Sequence, residues 1–292
     1  MQYARTQYAR TRVPASGPPA ASAVDLHAHT TASDGALTPP RLVALAVARG
    51  LRVLGVTDHD TVAGVEEALG AAGTGLRVIP GVELSAHVEA GEVHVLGYFL
   101  DPRAPALLDA LARLRAARGD RARQMVAQLA RAGAPVTHEQ VLAIAGEGAI
   151  GRPHVARALV QAGHAASIDD AFERYLVRGR PGYVERYRLS PAAAVQLVRG
   201  AGGAPVLAHP HTVADLPALL PELVAAGLAG LECYYGDYDE PTTRALLAEA
   251  ARYDLVPTGG TDFHGLGTSH GRDLGATPVP NECVAQLEAR RG

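Results

Sequence analysis

The sequence has no lysine and no tryptophan, and only two cysteines and three phenylalanines among its 292 residues. Each shortage excludes something. Cys233 and Cys283 are too few for a disulfide framework and lack the spacing of a thiolate metal site, so they indicate a reducing compartment and a cytoplasmic location. No run of about 18 apolar residues occurs, and no membrane span is expected. Without lysine, all 27 basic residues are arginine. That bias points mainly to high-GC coding, with the guanidinium's affinity for phosphate as a secondary reading. A net charge of −3 and an aromatic share of 4% supply neither an extended basic stripe nor many stacking rings. A general nucleic-acid binder is therefore not indicated, although a local basic pocket is not excluded. The opening segment repeats QYART and then turns to Pro, Ala and Ser with no apolar core. It is not a secretory signal, and residues 1–22 are expected to be a disordered leader.

What is present is an apolar fraction of 48%, enough for one large core with an insertion or for two domains. From residue 23 short apolar strands alternate with helices. "AVDLHAH" reads as a strand, and "TPPRLVALAVARG" as a helix with Thr38 as N-cap, prolines in the first turn and Gly50 as its stop. "LRVLGVTDHD", "LRVIPGVELSAH" and "EVHVLGYFL" are further strands, and "VAGVEEALGAA" is a helix. The same style resumes with "PAAAVQLVRGAGG", "APVLAHPH", "LPALLPELVAAG", "LAGLECYYG", "TTRALLAEAARYD" and "LVPTGGTDFHG". This alternation predicts parallel strands wrapped by helices. Between residues 104 and 184 the strand signal vanishes. Leu107, Leu108, Leu111 and Leu114, then Met125, Val126 and Leu129, follow helical spacing, and "GRPHVARALVQAG" and "DAFERYLVRG" read as two more helices. The predicted architecture is an α/β barrel over 23–103 and 185–292, with an all-helical insertion over 104–184 packed by Leu111, Leu114, Met125 and Leu129. The insertion carries a net +4 and the remainder −7, which favours an anionic ligand held between them.

Polar residues gather where the strands run out. "VDLHAHTTASDG" places His27 and His29 two apart, on one face of a strand, with Asp34 on the following turn. His59 ends the second strand, Glu83 comes from the third and His94 lies within the fourth. His209 ends a later strand, and Asp262 and His264 end the last. In a parallel barrel all these ends open on one face. A single strand histidine is as a rule a hydrogen-bonded core or surface residue, but six histidines and three carboxylates on one rim are not explained that way. Imidazole with carboxylate and no thiolate suits zinc, manganese or iron.

"DLHAHTTASDG", "GVTDHD", "GVELS", "HVLGY", "LAHP" and "GGTDFHG", in this order, resemble the PHP (polymerase and histidinol phosphatase) superfamily of metal-dependent phosphoesterases. The resemblance implies a distorted (β/α)₇ barrel with a trinuclear centre of Mn²⁺, Fe²⁺ or Zn²⁺. It implies that His27, His29, Glu83 and Asp262 hold a first ion, that Glu83 bridges to a second with His94 and His209, and that Asp34, His59 and His264 hold a third. "GRPHVARALV" and "AFERYLVRGRPGYV" are similar to the branch of nucleoside 3′,5′-bisphosphate phosphatases and 5′-to-3′ exoribonucleases, where a helical insertion covers the barrel mouth. By that likeness Arg152 and Arg180 contact a substrate phosphate, and Arg180 stands where lysine is common. Pro153 suits the first turn of a helix, which puts His154 at a helix N-terminus, a natural anion site.

The expected activity is hydrolysis of a nucleotide phosphate monoester, the 3′-phosphate of a nucleoside 3′,5′-bisphosphate first and short 5′-phosphorylated RNA next, by a metal-bound hydroxide. His211 is a candidate proton donor with a solvated loop residue as the equal alternative, and no serine or cysteine nucleophile is placed for the task. Tyr234, Tyr235 and Tyr238 are candidates for stacking a base, or for packing. His87, His138, His164 and His270 have no evident partners. Alternatives are a phosphatase or cyclic phosphodiesterase of a biosynthetic nucleoside or sugar phosphate, and a metal-binding accessory module without catalysis. The expected partner is a small phosphorylated substrate, with no membrane and no obligate protein partner.

Overall fold

Runs such as Val53–Val56 and Ala204–Leu207 have no polar side to offer water, and they fold as strands buried between a barrel interior and its covering helices. The computed structural model describes residues 22–88, 91–146, 150–184, 189–236, 238–265 and 273–292. Its sheet contains β1 (Val24–Asp25), β2 (Val53–Val56), β3 (Arg77–Val88), β4 (Gly91–Tyr98), β5 (Ala204–Leu207), β6 (Gly230–Tyr235) and β7 (Val256–Gly260), side by side in chain order. The His29 N–H donates to the Phe263 carbonyl at 2.9 Å and the Phe263 N–H to the His27 carbonyl at 3.2 Å, drawing the last strand against the first. The result is a nearly closed seven-stranded barrel. The expected leader, apart from Ser22, and His270 lie outside the described residues.

One strand departs from the expected parallel arrangement. β4 runs antiparallel to both β3 and β5, while the other neighbouring pairs are parallel. The sequence carries the reason: only two residues separate Val88 from Gly91, enough for a hairpin and far too few for a parallel crossover. His94 therefore comes from the middle of a strand descending into the barrel. β4 ends with Tyr98 opposite Gly81 and Ala204, at the starting ends of its neighbours.

The helices α1 (Pro39–Ala48), α2 (Val65–Ala71), α8 (Leu216–Ala226), α9 (Glu240–Arg252) and α10 (Glu282–Glu288) follow strands of the barrel, and α7 (Pro191–Gly200) leads into β5. Thr38 has the extended N-cap backbone, but its hydroxyl makes no capping bond, and Pro39 supplies the preset first turn instead. α10 was not evident from periodicity.

From the foot of β4 the chain climbs through α3 (Pro105–Arg131), 27 residues or about 40 Å long at 1.5 Å per residue. The apolar residues expected to pack the insertion divide along it. Leu107, Leu111 and Leu114 belong to the barrel's outer core with Val82, Val95 and Val198, whereas Met125 and Leu129 join a separate cluster with Val141, Val155, Leu159 and Leu176. The change of partner thus falls inside α3 and not at its start. The second cluster is completed by α4 (His138–Ala145), α5 (Arg152–Gln161), α6 (Ile168–Ala171) and a π-turn over Phe172–Leu176. α4 was not expected, although its capping box was readable: Thr137 accepts from the Gln140 N–H, and the Gln140 side chain accepts from the Thr137 N–H. The single helix expected over "DAFERYLVRG" is instead α6 followed by the π-turn, closed by the Val177 N–H donating to the Phe172 carbonyl. Among the described residues no helix is long and apolar enough to cross a membrane.

Leu129 is fully buried and packs against Gly182, which leaves little room for collapse around a smaller side chain. Leu129→Ala should destabilise this helical cluster by about 2–5 kcal/mol, measurable as an early, separate unfolding step in denaturant. An unchanged unfolding profile would show that the cluster does not depend on α3.

Candidate metal centre

All nine residues expected on the rim meet in one place, and Glu83 is the hub. His59 and Glu83 are bridged in parallel register, so the third strand brings its carboxylate level with the end of the second. Glu83 Oε2 lies 3.3 Å from His27 Nε2, 3.2 Å from His29 Nε2 and 3.0 Å from His59 Nδ1. Its other oxygen, Oε1, lies 2.8 Å from His94 Nδ1 and 3.2 Å from His209 Nε2. Asp262 Oδ1 faces His29 Nε2 at 3.0 Å and His27 Nε2 at 3.3 Å. On the outer side Asp34 approaches His264 Nε2 at 3.4 Å and His59 Nε2 at 3.8 Å.

Local backbone makes this crowding feasible. A Cβ on Gly260 would sit 2.5 Å from the His27 backbone nitrogen, so the last strand can lie against the first histidine only with glycine there. His209 and Asp262 both adopt positive φ, 28° and 52°, a conformation that costs a non-glycine residue energy and recurs where side-chain aim matters.

Among the described residues, three groups of donors stand close enough to share an ion: His27, His29, Glu83 and Asp262; His29, Asp34, His59 and His264; and His59, Glu83 and His94. Whether they fit metal is tested by the buried atoms that hydrogen bonding leaves over. His27 Nε2, both ring nitrogens of His29, His59 Nδ1 and Glu83 Oε2 are buried without a hydrogen-bond partner, although such atoms are normally satisfied. Except for His29 Nδ1, which faces Asp34, these atoms converge on the Glu83 carboxylate. A divalent cation is the natural ligand of such a nitrogen and oxygen set.

The electrostatics agree. Burial alone would lower the histidines, but the surrounding carboxylates outweigh it. Glu232, Asp262 and Glu83 hold His27 well above its usual value, Asp262 and Glu83 raise His29 to about 9, and Glu83 with Glu92 raises His94 to about 10. His59 goes the other way, down to about 3, because burial together with the cations at His29 and His94 overcomes the pull of Glu83 and Asp34. Glu83 itself would be pushed up by burial, yet His59, His27 and His94 hold it well below the carboxylate range. The pocket is thus a sink for positive charge, filled by protons wherever cations do not take their place.

Two cavities open on this ring. One, of about 290 Å³, is lined by Asp34, His59, Glu83, His94, His209 and Asp262 among others. The second, of about 240 Å³, shares His59 and His94 and is walled by Ser85, Glu92, Arg121 and Arg152. Arg152 lies in this second wall, with its guanidinium 5.8 Å from the centre of the Phe172 ring that the π-turn presents. His154 sits in the first turn of α5, where its Nδ1 accepts the Gly151 N–H at 2.9 Å. Arg180 is exposed, and the described lining of neither cavity includes it. His211 is exposed and turned against Tyr238, with the rings 5.6 Å apart. Of the tyrosines, Tyr235 reaches the site, donating to Asp262 Oδ2 at 2.8 Å, whereas Tyr234 packs on the core. His87 is within hydrogen-bond range of the Gly91 carbonyl, and His164 of the Pro135 carbonyl.

Sequence reasoning gave no role to Glu232, Glu92 or Arg121, nor to Asp58 at the end of the second strand. Asp58 braces the turn after His29, accepting from the Thr30 N–H and hydroxyl and the Ser33 hydroxyl. Arg121 donates to the Val184 carbonyl at 2.7 Å. The available signal for Glu232 was a carboxylate in the middle of the otherwise apolar "GLEC" strand.

Known proteins resemble this chain over most of its length. A family model described as PHP domain matches residues 25–177. The 3′,5′-nucleoside bisphosphate phosphatase of Chromobacterium violaceum is 37% identical over 277 residues, covering 91% of this chain and 97% of that one. The 5′-3′ exoribonuclease Rnm of Salmonella typhimurium is 39% identical over 251 residues, 82% of this chain and 84% of that one. A structure from Bifidobacterium adolescentis, described as a metal-dependent phosphoesterase, superposes with a TM-score of 0.77 at 36% identity, covering 94% of this chain and 98% of that one.

Proposed function

The chain belongs to the PHP domain family of phosphoric ester hydrolases, and from that premise we propose that it releases the 3′-phosphate of nucleoside 3′,5′-bisphosphates with the help of two to three divalent cations. The observation that carries this reading is a pair of adjacent cavities that share His59 and His94: one is walled by candidate metal ligands, and the other adds Arg121 and Arg152 beside Glu92. Ions held by the ring would serve the phosphate being cleaved. A second phosphate needs cations of its own, and Arg152 and Arg121 stand where it would lie. The residues 104–184 act in this reading as a cap that supplies those arginines. Arg180, exposed on its turn, would meet a substrate only where it extends beyond the cavity.

His27, His29, Glu83 and Asp262 would hold one ion, Glu83 with His94 and His209 a second, and Asp34, His59 and His264 a third. Mn²⁺, Fe²⁺ and Zn²⁺ all suit this donor set. Such ions lower the pKa of a bound water toward neutrality and take up charge on phosphoryl oxygens. Glu83 has an oxygen for each of two histidine sets, which is what a bridging ligand requires. Tyr235 engages Oδ2 of Asp262 so that Oδ1 is presented to His27 and His29. Arg152, backed by Phe172, keeps a planar guanidinium open to a phosphate fork. His154 is aimed by the Gly151 N–H that its Nδ1 accepts, which leaves Nε2 for an anion. His211, turned toward Tyr238, is given no part in proton transfer. The buried free cysteines agree with a cytoplasmic enzyme.

Phosphate release in Mn²⁺ from a panel of 3′,5′-bisphosphates, mononucleotides, histidinol phosphate and short 5′-phosphorylated RNA tests the proposal. The bisphosphate should give the highest kcat/KM; outright preference for a monophosphate would replace this reading with a biosynthetic phosphatase. Arg152→Ala should lower kcat/KM for the bisphosphate by about tenfold or more, since a charge-assisted hydrogen bond is worth roughly 1.5 to 3 kcal/mol. It should leave a small monophosphate nearly unaffected, whereas equal losses on both would assign Arg152 to the fold.

A further inference from the structure

We propose that Glu232, which lies outside the expected ligand set, is a positioning residue that locks two metal-binding elements at once, the His27 ring and the His209 backbone. The inference rests on the metal-centre reading above. Glu232 is completely buried in the middle of β6. Its Oε1 is 2.9 Å from His27 Nδ1, and its Oε2 accepts the His209 N–H at 2.7 Å. A buried carboxylate is costly unless both oxygens find donors, and here each finds one.

The chemistry of these two bonds decides what the neighbours can do. A carboxylate accepts only, so His27 Nδ1 must carry the proton that it shares with Glu232. The lone pair of the ring then resides on Nε2, the atom that faces Glu83 and Asp262 at 3.3 Å each and has no hydrogen-bond partner. The opposite tautomer would turn an N–H toward the ion and abolish coordination. The second bond acts on backbone. His209 is held at φ 28°, which an unconstrained histidine would leave, and from there its Nε2 faces Glu83 Oε1 at 3.2 Å. Since His27 and His209 fall to two different ions, a single side chain aligns both positions.

Glutamine at 232 has nearly the same shape but only one acceptor. Turned one way, its oxygen serves His209 while its NH₂ confronts His27 Nδ1 and drives the proton to Nε2. Turned the other way, two donors face each other at the His209 N–H. Neither orientation keeps both ligands in place.

Calorimetric titration of metal-stripped, full-length protein with Mn²⁺ tests this. Glu232→Gln should bind Mn²⁺ about 10- to 100-fold more weakly than wild type, the usual range for a partner that orients a ligand, while the metal-free variant still unfolds cooperatively. A wild type that binds and a variant within threefold of it would overturn the role of Glu232 and leave the metal centre standing. A wild type that binds no Mn²⁺ would overturn both. Should the variant fail to fold, ¹⁵N spectra of histidine-labelled, Zn²⁺-loaded wild type decide the matter. His27 must show a protonated Nδ1 and a coordinated Nε2, and the reverse pattern refutes the proposal.

Discussion

Asp262→Asn and His29→Ala should each lower kcat/KM by about a thousandfold or more, and each should release bound metal, because a charge-bearing group is being removed from the reacting centre. Asp262 Oδ1 lies 3.0 Å from His29 Nε2 and 3.3 Å from His27 Nε2, so without its charge two buried imidazoles lose a counter-ion and an ion loses an anchor. Asparagine is the informative replacement at 262. It tolerates the positive φ of that residue, which alanine does at a cost of roughly 1–2 kcal/mol, so charge and backbone effects stay separate. Elemental analysis of the purified variants, with phosphate release measured over a Mn²⁺ series, supplies the check. A variant that keeps its metal and a rate within tenfold of wild type would remove that residue from the centre.

Raising the pH from 7 to 8 should tighten Mn²⁺ binding by about tenfold for each proton that an ion must displace. His29, at about 9, and His94, at about 10, both hold protons across this interval, because the carboxylates beside them overcome the effect of burial. The same shifts fix the stability trend of the metal-free protein. Both folded-state values lie above the ordinary histidine value, so their stabilisation is fully present below about pH 6.5 and is lost as pH rises through 9 to 10. Metal-free protein should therefore melt at progressively lower temperature in that alkaline window, while affinity for metal rises toward it. His59, at about 3, is already neutral and adds nothing there. Titrations in buffers of different ionisation enthalpy count the displaced protons, and an affinity independent of pH would contradict the charge arrangement described for the ring.

The convergence of these nine residues was legible because a barrel converts a one-dimensional pattern into a place. His27, His59, His209 and Asp262 each stand just past the mouth-facing end of a strand, Glu83 sits midway along β3, and closure of the sheet does the rest. What escaped notice depends on partners remote in sequence or on context that composition does not carry. Glu232 acquires meaning only when β6 places it against His27, 205 positions away. The reversal of β4 was written in the two-residue gap before Gly91, but strand chemistry drew the eye from the connection. The π-turn at Phe172 has the composition of an α-helix, so nothing in its residue types marked the i→i+5 bond that closes it. The division of α3 was invisible for a similar reason: Leu114 and Met125 carry the same helical periodicity but face different neighbours.

Because β4 descends, the chain must return to the mouth before it can build anything there, and α3 makes the ascent in one unbroken rod. That rod is a ruler. Its lower half is fixed to the wall at Leu107, Leu111 and Leu114, and Arg121 is carried on its upper half. Adding or deleting one residue between those points would move Arg121 by about 1.5 Å and swing it through about 100°, away from the cavity altogether. Lineages or designers seeking a different spacing between the histidine ring and Arg121 therefore have no small steps available within α3. They can change its length only by nearly whole turns, or alter the parts of the cap beyond Arg131, where the register of the rod no longer matters.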